Sequence, residues 1–191
     1  MKRSLSTHLE IHRITVDALF VALYVILGTV LSFKIPGAIQ ISLSTLPLLL
    51  VAFLLTPADA AAVALIGTLL EQILDPSPFG FATLPMWLIP GVVMATVAAF
   101  GARLAKRQSK RSSALILTCV TIVCAELLFT GLNTVALYLD GYFLNYPVKA
   151  LHLLLPTRLL NCAVRCVLSS ILVNLLLPPL RRALGRISRK S

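Results

Sequence analysis

The stretch ELLFTGLNTVALYLDG, residues 126–141, holds an ionisable Glu126 and an amide, Asn133, seven positions apart in a run that is otherwise almost wholly apolar. With the apolar residues before it, the run extends over about 113–138. Roughly 20 consecutive apolar residues are enough for a helix to cross the hydrocarbon core of a bilayer. The stretch is therefore read as a membrane span with a charge inside it. Farther on, TRLLNCAVRCV (157–167) repeats the pattern: Arg158 and Arg165 are also seven apart in apolar surroundings.

The rest of the chain is of the same kind. Of its 191 residues, 58% are hydrophobic, and the mean hydropathy is +0.94. Soluble domains run at about 45–50% apolar residues even with glycine counted. The excess lies in long runs rather than in helical or strand alternation. The expected fold is an all-α integral membrane protein, a compact bundle of six transmembrane helices in a single domain, 1–191. A basic N-terminal arm (1–13) and a basic C-terminal tail (180–191) flank it.

The expected spans lie at about 14–33, 39–56, 58–74, 81–102, 113–138 and 150–177. The Pro-Gly pair of KIPGA marks a turn between the first two. The third is short and Ala-rich, with Glu71 and Gln72 near its end, and a re-entrant segment is its alternative reading. Pro85 and Pro90 are expected to break the fourth, and Pro178-Pro179 to end the sixth. No cleavable signal peptide is expected, and no repeat suggests an inverted-repeat carrier.

The net charge of +10 is not a nucleic-acid signature, because the basic residues cluster beside the spans. With the N-terminus inside, the inner segments hold Lys2, Arg3, Arg13, Arg103, Lys106, Arg107, Lys110, Arg111, Arg181, Arg182, Arg186, Arg189 and Lys190, thirteen of the 17 Lys and Arg. The outer loops hold Lys34 and Lys149. The positive-inside rule then places both termini in the cytoplasm of a multi-pass cell-membrane protein. The same clusters meet anionic lipid at the bilayer surface.

Chemistry that leaves a motif is missing. There is no HExxH, GxSxG or Walker-type glycine loop, so neither an enzyme nor a chain that uses ATP by itself is expected. Cys119, Cys124, Cys162 and Cys166 all fall in spans and are expected as free thiols. No metal or cofactor is expected.

Charge inside a span is expensive, about 2.5–3.5 kcal/mol at a helix centre, so partners are expected. Seven residues is close to two helical turns, so Glu126 shares a face with Asn133, and Arg158 with Arg165. In an antiparallel pair, residues at one depth have a constant sum of positions. Glu126 with Arg165 and Asn133 with Arg158 give the same sum, so one register levels both pairs. A structural ion pair is the plain reading. Two arginines against one glutamate leave a cation for an anionic ligand, and Asn161 is grouped with these residues. Near the outer turn, Glu71, Gln72, Thr83 and Trp87 either line the same pocket or, for Trp87, belong to the interfacial aromatic belt. Ala18 and Ala22, four apart on the first span, form a small-xxx-small pair that lets another helix approach closely. Ala60/Ala64 and Gly91/Ala95/Ala99 repeat that spacing.

Six spans, a basic tail, the Ala18/Ala22 pair, ISLSTLP (41–47) and LNTVALYLDGYFLNYPVKALHLLLPTR (132–158) together resemble the S components of energy-coupling factor (ECF) transporters, nearest to the folate-type branch. Glu71, in GTLLE, stands where that branch usually has Asp, and its PGFT is FGFATLPMW here. The resemblance implies capture from outside of a vitamin-class, possibly folate-like and anionic, small molecule. It also implies a complex with a membrane coupling subunit and two cytoplasmic ATPase subunits, with Ala18 and Ala22 touching the membrane subunit. The 75–80 connection would help gate the pocket. Two other functions stay open: a self-sufficient secondary carrier, with Glu126 or Glu71 taking a coupling proton, and a membrane-embedded enzyme.

Overall fold

The computed structural model describes residues 2–30, 32–35, 39–74, 84–143 and 155–190. Among these, six helices and one hairpin follow in order: α1 (Lys2–Thr29), β1 (Phe33–Ile35), β2 (Ile39–Ile41), α2 (Thr45–Leu54), α3 (Pro57–Leu74), α4 (Leu84–Lys106), α5 (Arg111–Phe143) and α6 (Leu155–Lys190). Four helices are long and apolar enough to cross a membrane by length and composition: α3, α4, α5 and α6 over 155–184.

The expected second span is not one helix. Residues 39–41 pair with β1 in an antiparallel hairpin, Phe33 opposite Ile41 and Ile35 opposite Ile39. Only the ten residues Thr45–Leu54 are helical. The alternation of IQIS, with isoleucines two apart, suits a strand. Pro47 lies in the first turn of α2, where it gives up no intrahelical bond. Ten residues span about 15 Å, roughly half of a hydrocarbon core. The short helix is nevertheless the centre of the molecule. Every residue from Thr45 to Phe53 is buried, with α1, α3, α4 and α6 packed around it. The remaining neighbours pack in series: α1 on α3, α3 on α4, α4 on α5, α5 on α6.

Two proline expectations are corrected. α4 runs unbroken with Pro90 inside it, and α6 continues through Pro178 and Pro179 to Lys190. Pro85 falls in the first turn of α4, where the missing N–H costs nothing. The irregular turn expected around 75–83 lies outside the described residues.

Small residues set the helix spacings. Gly67 on α3 carries the Tyr24 ring of α1, and an added Cβ would come within 2.9 Å of Tyr24 Cδ1. A Cβ at Gly101 would collide with the Thr121 side chain across the α4–α5 contact. Ala60, Ala64, Ala95 and Ala99 are buried in the same way. At the start of α3, the Thr56 N–H donates to Asp59 Oδ2 (3.1 Å) and the Asp59 N–H donates to Thr56 Oγ1 (3.3 Å), a reciprocal cap. Arg13 Nε donates to Asp59 Oδ1 at 2.7 Å and fastens α1 to this turn.

Gly101 and Gly131 offer a matched test. Gly101→Leu overpacks the α4–α5 contact and should cost about 1–3 kcal/mol. Gly131, with nothing within 4 Å of its added Cβ, should accept Leu with a change of less than about 0.5 kcal/mol. Unfolding in detergent checks both; equal losses would contradict the packing described.

Candidate polar site between the half-helix and the α5–α6 pair

Glu126 sits near the middle of α5 with no exposed surface. A carboxylate there needs donors, and two neighbouring helices supply them. Thr45 Oγ1, at the start of α2, donates to Glu126 Oε1 at 2.7 Å. Ser169 Oγ, on α6, donates to the same oxygen at 3.1 Å. Arg165 Nε, also on α6, stands 3.7 Å from Oε2. That is ion-pair distance without a hydrogen bond, and neither Glu126 Oε2 nor Arg165 Nε has a hydrogen-bond partner. The thiol of Cys162 points at the Glu126 carbonyl oxygen at 3.7 Å. Because α2 begins beside the carboxylate, the positive end of its dipole favours the charge.

One turn along, Arg165 Nη2 donates to Thr130 Oγ1 at 2.8 Å, and the guanidinium lies 5.3 Å from the Phe129 ring centroid. Two turns along, Arg158 Nη1 donates to Thr134 Oγ1 at 3.2 Å. Glu126, Thr130 and Thr134 thus form a ladder at four-residue spacing on α5, facing Arg165 and Arg158 on α6. The structure brings Glu126 and Arg165 together as the register requires. It gives Arg158 to Thr134, one residue beyond the expected Asn133, which is half-buried. Asn161 is half-buried on α6.

The sequence reading missed Thr45, Thr130, Thr134 and Ser169. The two α5 threonines had a signal, since they lie four and eight residues from Glu126, and Ser169 lies four from Arg165. Thr45 had none once 39–56 was read as a single helix, because its role comes from the helix starting at that residue.

A second polar group lies between α1 and α3. The Tyr24 hydroxyl is 3.3 Å from Thr68 Oγ1, with Ser44 and the Glu71 carboxylate also in hydrogen-bonding reach. Glu71 lies against Gly28, where any Cβ would strike it. Ser44 and Thr45 are adjacent, so the start of α2 touches both polar groups. Gln72 and Trp87 are half-buried at the same end; Thr83 lies outside the described residues. The alanine pairs separate cleanly. Ala18 and Ala22 face outward, whereas Ala60/Ala64 and Ala95/Ala99 pack inside. Among the described residues, no group of three or more His, Cys, Asp or Glu could hold a metal ion.

No curated protein matches the chain. Among solved structures, one described as "Structure and mechanism of the S component of a bacterial ECF transporter" superposes with a TM-score of 0.62. It covers 90% of this chain and 99% of its own at 18% identity, a likeness of fold. The family described as ECF transporter, substrate-specific component, matches residues 12–177. That match takes in α2 to α5, most of α1, the polar ladder and most of α6, and the chain accordingly belongs to the substrate-specific components of ECF transporters.

Proposed function

We propose that the chain captures an anionic, vitamin-class small molecule of folate-like chemistry in the half of the bundle that α2 leaves unfilled, with Arg158 as its principal anion contact. The carrying observation is the charge balance of the α5–α6 ladder: two guanidiniums face one carboxylate. Glu126 is held by Thr45, Ser169 and Arg165, while the hydrogen bond of Arg158 goes to a neutral hydroxyl. Its charge is therefore available to a ligand carboxylate, which the planar guanidinium can grip through two parallel hydrogen bonds. Asn133, Asn161, Glu71, Gln72, Thr83 and Trp87 are proposed to complete the pocket, with Glu71 and Gln72 taking the donor groups of the ligand.

In this reading the chain binds and does no chemistry. Both termini are cytoplasmic, the ligand enters from outside, and a membrane coupling subunit with two ATPases drives delivery. Ala18 and Ala22 are the proposed contact with the membrane subunit. Their outward direction supports this, because small residues facing away from the bundle permit close approach by a helix of another chain.

Two measurements test the reading. Folate, and whatever compound mass spectrometry finds with the purified protein, should bind Arg158→Ala more weakly by about 2–5 kcal/mol, with the fold retained. Unchanged affinity in titration calorimetry for every bound compound would remove Arg158 from the pocket. Ala18→Trp should abolish co-purification with the membrane subunit and leave ligand affinity of the isolated chain within about twofold, since the residue touches no part of the ladder. Loss of ligand binding together with assembly would show that this face belongs to the bundle itself.

A further inference from the structure

The polar group between α1 and α3 is built from buried parts. Tyr24 on α1, Thr68 on α3 and Ser44 at the start of α2 are 2%, 5% and 6% exposed, and their hydroxyls meet beside the Glu71 carboxylate. Glycines make the room. The Tyr24 ring lies on Gly67, and a Cβ at Gly91 on α4 would stand 3.0 Å from Thr68 Oγ1. A Cβ at Gly28 would strike the Glu71 carboxylate and stand 3.4 Å from Ser44 Cβ. The direction of the hydrogen bonds follows from the protons present. An ionised carboxylate only accepts, whereas each hydroxyl has one proton and two lone pairs. Thr68 and Ser44 can donate to the Tyr24 oxygen, which leaves the Tyr24 proton for Glu71. In such a chain each bond polarises the next, so the last acceptor is held more firmly than by a lone hydrogen bond.

The three hydroxyls are sealed, but Glu71, near the end of α3, is partly exposed. Buried donors therefore serve a carboxylate at the edge of the polar half. A carboxylate has about four lone-pair sites, so the bond from Tyr24 leaves it acceptor capacity. The α5–α6 ladder, reached through Thr45 beside Ser44, presents guanidiniums. The two polar groups at the start of α2 thus offer opposite charge. We propose that Tyr24 is a positioning residue, whose hydroxyl fixes the Glu71 carboxylate to accept a planar pair of N–H donors, an amidine-type edge, from the ligand whose anionic end Arg158 takes. This role rests on the capture function proposed above and adds to it that the captured molecule is two-ended. Two parallel N–H groups meet both oxygens of a carboxylate only in one plane. The Tyr24 hydroxyl and the close fit against Gly28 hold that plane.

Thermal-shift titrations of the detergent-solubilised chain with two fragments separate the ends. Benzamidine has only the planar N–H pair, and benzoate only the carboxylate. A compound that binds the folded state raises its unfolding temperature with concentration, which gives a dissociation constant for each. Tyr24→Phe keeps the ring on Gly67 and removes the hydroxyl. It should weaken benzamidine about tenfold, the size of one lost hydrogen bond to a charged group, and leave benzoate within about twofold. Gly28→Ala displaces the carboxylate with the Tyr24 hydroxyl intact, and should likewise weaken benzamidine and spare benzoate. Glu71→Gln should abolish benzamidine binding, and Arg158→Ala should weaken benzoate alone. The proposal is overturned if the unaltered chain does not bind benzamidine, or if benzamidine binding survives Glu71→Gln. It is also overturned if Tyr24→Phe weakens both fragments alike, as a merely structural tyrosine would. Benzoate binding indifferent to Arg158→Ala, with the benzamidine pattern intact, would instead remove the anion contact and leave the role of Tyr24 standing.

Discussion

A carboxylate with no exposed surface, in the middle of an apolar bundle, must be given hydrogen bonds and a counter-charge or the structure around it fails. Glu126 meets that requirement by drawing on two neighbouring helices at once. Thr45 ties it to α2, and Ser169 and Arg165 tie it to α6. The half-helix cannot slide along the α5–α6 pair without breaking one of these contacts. The hairpin that precedes α2, with β2 against α6, is held by the same anchor. Position of the central helix, register of α5 on α6 and placement of both arginines therefore rest on one side chain.

The two halves of the bundle follow from the length of α2. Where the half-helix runs, the interior is apolar and tight: Leu48, Leu49, Val51 and Phe53 meet Ala60, Ala64, Met94, Ala95 and Ala98 with almost no exposure. Beyond its start the facing residues become Thr130, Thr134, Arg158 and Arg165. Packing there gives way to polar side chains that are half-buried rather than sealed. In the function proposed above, the tight half holds the helices and the polar half takes the solute. Placing the boundary at Thr45 puts the buried charge at the junction, where a helix N-terminus faces it.

Much of this was legible in the sequence, for reasons that can be named. Helix periodicity places Glu126 and Arg165 on faces that meet in an antiparallel pair, and a seven-residue spacing on both strands of that pair specifies the level. The long apolar runs of α3 to α6 declare themselves through bilayer thickness. The α2 region misleads because hydropathy alone does not separate a strand, a turn and a short buried helix from one continuous span; only the alternation of IQIS and the placement of Pro47 mark the change. Prolines misled in the other direction, since Pro90, Pro178 and Pro179 lie within continuous helices. Spacing could not say which small-residue pair faces outward. Ala18/Ala22 and Ala60/Ala64 look alike as sequence, and only the packing of α1 against α3 separates them.

The central claim, that Glu126 and Arg165 act as one unit to hold the half-helix in register, is tested most directly by a double-mutant cycle on unfolding. Arg165→Met alone leaves a buried carboxylate without its cation and should cost about 3–5 kcal/mol. Glu126→Gln alone strands a half-buried guanidinium and should also destabilise. Together the two changes should recover most of the loss, with a coupling of at least about 2 kcal/mol. Losses that simply add, with no recovery in the double variant, would contradict the account.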